Sequence, residues 1–365
     1  MQFAILPICQ TKNMTFDPNG VGIANGNIFG FPVSADEAQI IITPIPWDAT
    51  ASYGKGTSDG PKAILEASTQ LDFYHPKLDN AWKTKIFMSP ISEEWKKINA
   101  DLCFRTIEYI AFLEDGGKIE DAPEYQILLA EVAEAQNALK ENLKEKSLKI
   151  MSEGKIPAVL GGEHSTPLGL IEAIDEQGFP FGILQIDAHA DLRDAYEGFD
   201  QSHASIMFNV VKNCKNLNKL VQVGIRDIAQ SEIDLINENT SKIKTFFDWE
   251  LKEAQFNGTT WKQQVDQIIE QLPENVYISF DIDGLKPFLC PNTGTPVVGG
   301  FELDEINYLF FELVNAGRKI VGFDLNEVAP GNADDWDANV GARALWNLVC
   351  VTEKSRRIHA KSNNQ

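Results

Sequence analysis

Leu160-Gly-Gly-Glu-His-Ser165, followed by Ile186-Asp-Ala-His-Ala-Asp191, is the part of the chain whose reading decides the fold. Each stretch closes a short apolar run: residues 156–160 break at Gly161-Gly162, and residues 181–186 end in the acidic segment. Both runs read as buried strands that end in polar loops. If residues 187–191 are extended, side chains alternate, so Asp187, His189 and Asp191 are expected on one side, with Ala188 and Ala190 on the other. Downstream, Val276-Tyr-Ile-Ser-Phe280 leads into Asp281-Ile-Asp283, again two carboxylates two residues apart at a strand end. Four aspartates gathered in one place repel one another, and their pKa values rise unless cations neutralise them. Two divalent ions would balance that charge, and imidazole with carboxylate is a ligand set that suits Mn, Zn, Fe or Ni.

Outward from these stretches, residues 40–45 read as the first strand, followed by a long loop of glycine and small polar residues from Pro46 to Pro61. Pro61 stands where a helix can begin, with Ala63, Ile64, Ala67 and Leu71 as its apolar face. Helices are expected over 93–114 and 123–152, the latter carrying Leu128, Val132, Leu139 and Leu143 on one stripe and Gly154 as its stop. Further strands are expected at 220–223, 276–280 and 319–324, separated by helices at 261–272 and 303–316. Strands alternating with helices imply a mainly parallel α/β sheet covered on both faces. With no repeat and no linker, this is one domain over 39–355, with an irregular N-terminal extension over 1–38 and a C-terminal tail over 356–365.

The chain has 365 residues, ample apolar content at 43%, and a formal net charge of −21. That charge argues against nucleic acid or an anionic membrane as a partner. Five scattered cysteines with no C-x-x-C pair point to a reducing compartment. No apolar run approaches the ~18 residues of a membrane helix, and no basic flank or cleavage pattern marks a signal peptide, so a cytoplasmic location is expected.

In order, Gly161-Gly-Glu-His-Ser165, Asp187-Ala-His-Ala-Asp191 and Ser279-Phe-Asp-Ile-Asp-Gly-Leu-Lys-Pro287 resemble the three metal-binding signatures of the ureohydrolases, the family of arginase and agmatinase. Tyr53-Gly-Lys-Gly-Thr57 and Gly60-Pro61 resemble its early glycine-rich loop, and the resemblance extends from about residue 40 to about 349. It implies a three-layer α/β/α fold, two Mn²⁺ (Ni²⁺ or another divalent ion as alternatives), a small guanidino substrate cleaved to urea and an amine, and a homo-oligomer, often a trimer or hexamer. By the same resemblance His164, Asp187, Asp191 and Asp281 hold one ion and Asp187, His189, Asp281 and Asp283 the other, so that Asp187 and Asp281 bridge. His203, in Gln201-Ser-His-Ala-Ser205, matches the histidine that shuttles protons, and Glu327, in Asp324-Leu-Asn-Glu327, the glutamate that pairs with the guanidinium; with Asp191 they form the catalytic set.

The substrate is less sharply marked. Arg193 stands where animal-type arginases carry an asparagine that binds the α-carboxylate, and Ala229 where they carry an aspartate for the α-amino group; Glu232 could still reach an ammonium. Arg193 and Glu232 are therefore the further substrate-binding candidates. Asp187-Ala-His-Ala-Asp-Leu-Arg-Asp194 and Ser202-His-Ala-Ser205 look like the agmatinase branch, so agmatine is the leading expectation. Arginine comes next, then guanidine or a guanidino acid, then formiminoglutamate. A catalytically silent guanidino-binding or partner subunit would show degenerate metal motifs, and here all six ligand positions are intact.

Overall fold

The computed structural model describes residues 16–331 and 334–362. Its eight strands are β1 (Ile40–Ile45), β2 (Ile86–Met88), β3 (Ile156–Gly161), β4 (Phe181–Ile186), β5 (Leu217–Ile225), β6 (Ile243–Phe247), β7 (Asn275–Asp281) and β8 (Lys319–Asn326). They form one sheet in the order β2-β1-β3-β8-β7-β4-β5-β6, every pair parallel. The chain leaves β3 and re-enters the sheet at β4 with a gap between them, and the last two strands fill that gap. Leu160, Leu325, Phe280 and Ile186 lie in one register row across β3, β8, β7 and β4. The four central strands therefore end level, and whatever follows each of them meets at one edge.

The helices are α1 (Gly60–Ala67), α2 (Glu93–Glu114), α3 (Pro123–Ser152), α4 (Leu168–Asp175) and α5 (Ile206–Asn213) in the first part of the chain. They continue with α6 (Gln230–Glu238), α7 (Asp248–Phe256), α8 (Trp261–Glu270), α9 (Leu303–Asn315) and α10 (Trp336–Ser362). Alternate strand residues divide between two cores. Leu160, Leu184, Ile278 and Phe323 pack with Ile64 of α1, Val265 of α8, Phe310 of α9 and Leu345 of α10. Val159, Ile183, Leu220 and Tyr277 pack on the other face with Leu102 of α2, Val132 of α3, Ile171 of α4 and Val210 of α5. A sheet buried on both sides by helices is the three-layer α/β/α arrangement. Phe310 sits edge-on to Phe280, centroids 5.8 Å apart, under the site-bearing strands. Phe310→Ala is expected to cost about 3–5 kcal/mol of unfolding free energy, read as a lowered urea midpoint.

Helices α2 and α3 lie where their apolar stripes put them. Residues 16–38 hold no strand or α-helix, with one short 3-10 turn at Ile28–Gly30, but they are not peripheral. Ile28, Phe29 and Phe31 are buried, and the Phe29 and Phe31 rings pack against Phe73 and Trp346. Asn27 binds the edge strand β2 through both ends of its amide, donating to Ile86 O (3.2 Å) and accepting from Met88 N (2.9 Å). The segment so occupies an edge that would otherwise be open to pairing. At the other end α10 runs unbroken through residue 356, where the tail was expected to begin. Residues 1–15 and 363–365 of the expected extension and tail lie outside the described residues.

Candidate metal centre and active site

The four level strand ends deliver the site. His164 follows β3 by three residues, Asp281 closes β7, Asp187 follows β4 and Glu327 follows β8. The β3 turn is tight because Gly162 passes against the Trp47 carbonyl, where any side chain would collide. His164 is buried, with Nδ1 at 3.0 Å from Asp187 Oδ2, 2.9 Å from Asp191 Oδ2 and 3.3 Å from Asp281 Oδ2. His189 Nδ1 lies 3.0 Å from Asp283 Oδ2 and 3.7 Å from Asp187 Oδ1. Two groups result, His164–Asp187–Asp191 and Asp187–His189–Asp283, with ligand atoms in each within 4.8 Å of one another. Asp187 belongs to both. Asp281 turns Oδ2 to His164, while its Oδ1 accepts the backbone N–H of Asp283 (2.8 Å).

The expected alternation along 187–191 does not hold to its end. The segment is not a strand, and Asp191 adopts a left-handed backbone (φ 54°) that swings its carboxylate back to His164. Aspartate tolerates that region better than most side chains. Glu327, at φ 64°, is a second residue in this conformation at the same edge.

The electrostatics call for added positive charge. Burial, then the neighbouring Asp187, push Asp191 up to about 7, and burial with Asp283 and Asp187 pushes Asp281 well above the carboxylate range. Burial also acts to raise Asp187, but hydrogen bonds with His164 and His189 outweigh it and hold it low. Burial opposes a charge on His164 and His189, yet the surrounding carboxylates draw both well upward. A single Nδ1 cannot satisfy three carboxylates, and that of His164 has no well-directed hydrogen bond to any of them. A divalent cation held by these four groups would offset their charge, and Asp187, His189 and Asp283 form a second such group, so the residues fit a metal pair.

Around these groups lies a supporting layer that the sequence reading missed. His164 Nε2 meets Ser279 Oγ (2.9 Å), whose own proton goes to Asp324 Oδ1 (3.1 Å). His164 therefore carries a proton on Nε2, so that Nδ1 is the atom a cation would take. Gln185 donates to Asp187 Oδ2 (2.8 Å) and is fixed by Gln222 (2.8 Å). Arg226 donates to the carbonyls of Gly224, Asp283, Leu285 and Val297, clamping the turn that carries Asp283. A buried glutamine in an otherwise apolar strand was the available signal for Gln185.

A cavity of about 140 Å³ opens beside these groups, lined among others by His189, Asp191, His203, Arg193, Glu232 and Thr295. His203 Nδ1 lies 3.1 Å from Thr50 O and its Nε2 3.3 Å from Ser52 Oγ; since a carbonyl only accepts, Nδ1 carries the proton and donates it to Thr50. Burial, with His189 next, pushes His203 down to about 3 and keeps the ring neutral. Arg193 stacks over the Tyr196 ring (4.6 Å), its side chain 39% exposed, with Nε 3.8 Å from Glu232 Oε2. Glu232 has both oxygens engaged by backbone, Leu192 N (3.0 Å) and Ala229 N (2.9 Å), so it ties the start of α6 to the loop after β4. Glu327 is buried and does not line this cavity; its Oε1 accepts the His164 N–H (2.8 Å). Its Oε2 faces Gly294, where an added Cβ would stand at 3.1 Å. Burial, then Glu163, raise Glu327 well above its usual value.

Imidazole and carboxylate groups at the central strand ends of a parallel α/β sheet make a candidate metal centre. The chain belongs to the arginase family, whose family model matches residues 38–350. It is accordingly a hydrolase of C–N bonds in guanidino compounds, in a family that works with two divalent metal ions. It is 32% identical over 295 residues to an N(1)-aminopropylagmatine ureohydrolase of Synechocystis, covering 80% of this chain and 82% of that one. It is 30% identical over 302 residues to an agmatinase of Bacillus anthracis, covering 81% and 86%. Its fold is that of the agmatine ureohydrolase of Thermoplasma volcanium (TM-score 0.69, 22% identity, 91% of this chain and 96% of that one). No described helix is long and apolar enough to cross a membrane.

Proposed function

We propose that the protein is an agmatinase-type ureohydrolase, acting with two Mn²⁺ on agmatine or its aminopropyl derivative. The observation that carries this reading is the pair of ligand groups sharing Asp187 beside a small cavity that also holds His203. His164, Asp187, Asp191 and Asp281 would hold one ion and Asp187, His189, Asp281 and Asp283 the other. When bound, the ions supply a hydroxide nucleophile at neutral pH and offset the carboxylate charge.

The chain's own residues do the rest. His203, neutral and anchored at Nδ1, accepts at Nε2 a proton released on attack and returns it to the leaving amine. Glu327, with Oε1 fixed on the His164 N–H, keeps Oε2 for the N–H groups of the planar guanidinium. Gly294 carries no side chain to crowd that oxygen. Glu327→Gln is expected to lower kcat/KM by roughly 10²-fold, mainly through KM, with metal content unchanged; initial rates and metal analysis check it. The four described cysteines are free, which fits the cytoplasm as the place of work.

One observation favours a second reading. The exposed Arg193 guanidinium in the cavity suits a substrate whose tail ends in a carboxylate, a guanidino acid rather than a diamine derivative. The test is urea release by the Mn-loaded protein, repeated with Ni, on agmatine, aminopropylagmatine, arginine, guanidinobutyrate and free guanidine. Fastest turnover of agmatine or its aminopropyl derivative supports the first reading; guanidinobutyrate turnover that is lost in Arg193→Ala replaces it with the second.

A further inference from the structure

The loop between β1 and α1 is bound far more firmly than its glycine-rich sequence suggests. Asp48, buried, accepts from Asn99 Nδ2 (2.8 Å), Gly56 N (2.8 Å) and Ser58 N (3.2 Å), which fastens the loop to α2 and closes it on itself. Thr106 of α2 donates to Ala49 O (2.8 Å). Between these anchors Thr50 is fully buried and bonded in two directions. Its carbonyl takes the Nδ1 proton of His203, and its hydroxyl donates to Glu163 Oε1. Glu163 is also fully buried, and the same oxygen accepts from Ser165 Oγ (2.8 Å), while its backbone N–H donates to Trp47 O (2.8 Å). A buried carboxylate is costly to maintain, and here it sits one residue before His164 yet points away from the carboxylate groups and into the loop. Its side chain contacts no ligand atom of either metal group among the described residues; its partners are the two hydroxyls.

We infer that Glu163 is a positioning residue for His203, acting through Thr50: the Glu163–Thr50 bond fixes the peptide whose carbonyl anchors His203 Nδ1. The consequence is chemical. With Nδ1–H held on that carbonyl, a neutral His203 presents its lone pair at Nε2, the atom beside Ser52 and open to the cavity. Were the Thr50 carbonyl free to rotate away, the ring could flip or take the other tautomer, and the proton would be offered at the wrong nitrogen. The same Glu163 stands in the turn that places His164 and lies close enough to Glu327 to raise it. One buried side chain thus ties the proton-handling histidine to the turn that carries a metal ligand.

This inference rests on the shuttle role proposed for His203, and the test separates the two. Thr50→Val removes the hydroxyl at nearly constant shape, Thr50→Ser restores it, and Glu163→Gln weakens the acceptor should Thr50→Val fold poorly. In the metal-loaded enzyme Thr50→Val is expected to lower kcat about tenfold, with KM and metal content unchanged, and Thr50→Ser to recover most of the rate. Added to His203→Asn, Thr50→Val is expected to change kcat no further, because it acts only through that ring. Loss of kcat in His203→Asn alongside wild-type kcat in Thr50→Val overturns this inference alone, as does a double variant whose losses multiply. Wild-type kcat in His203→Asn overturns the shuttle reading, and this inference with it.

Discussion

Asp281→Ala is expected to abolish urea release, a loss of at least about 10⁴-fold, and to bind less than two metal ions per chain. The size follows from its two tasks. Oδ2 faces His164 within the first ligand group, and Oδ1 holds the backbone N–H of Asp283, whose side chain meets His189 in the second. Removing one carboxylate therefore opens one group and loosens the turn that carries the other. A thermal measurement separates this from simple misfolding. The metal-free variant should still melt in one cooperative transition, a little below metal-free wild type because the buried Asp283 N–H loses its acceptor. Mn²⁺ should then raise the melting temperature of wild type and leave the variant little changed. Wild-type turnover in the variant would sink the ligand assignment.

His203→Asn is expected to reduce kcat by roughly 10³-fold while both metals stay bound. Asparagine keeps a donor for the Thr50 carbonyl but has no titratable nitrogen to exchange a proton with the leaving amine. His203 lies outside both ligand groups, so metal analysis should match wild type. Loss of metal in this variant would mean that the imidazole is a ligand and that the proton is handled elsewhere. A KM within about twofold of wild type would place the loss in the chemical step rather than in binding.

What could be read from the sequence follows from how each residue advertises itself. Strands β3, β4 and β7 are mainly apolar runs that stop at glycine or aspartate, and long α3 carries a clean stripe, so these elements were legible; β8, expected to end at Asp324, runs on to Asn326 because Asp324 is buried within it. Edge strands were not: β2 is three residues long, and β6 carries an exposed Lys244, so neither shows a run or an alternation. Helix α10 was hidden for the opposite reason. It packs between β8, α1 and α9, and its first half is buried at so many positions that no stripe remains. In the site, the metal-group histidines and aspartates stood out because four carboxylates at strand ends need an explanation. Ser279, Gln185 and Arg226 did not, since their importance lies in partners distant in sequence. Glu232 illustrates the converse: its position resembled a substrate contact, but whether its oxygens face a ligand or two backbone N–H groups depends on a turn that no local pattern reveals.

The insertion of β7 and β8 between β3 and β4 has a consequence for how the protein comes into being. Leu160 reaches register with Leu325 only after the chain between them has been laid down on both faces of the sheet. Pairings of that sequence separation are slow, because loop closure must be met before any contact rewards it. A chain still being synthesised can therefore display His164, Asp187, His189 and Asp191 long before Asp281 and Asp283 exist, and cannot yet cage an ion. Metal uptake is therefore expected late in folding, and the rate at which added Mn²⁺ is captured during refolding should track closure of the sheet's centre.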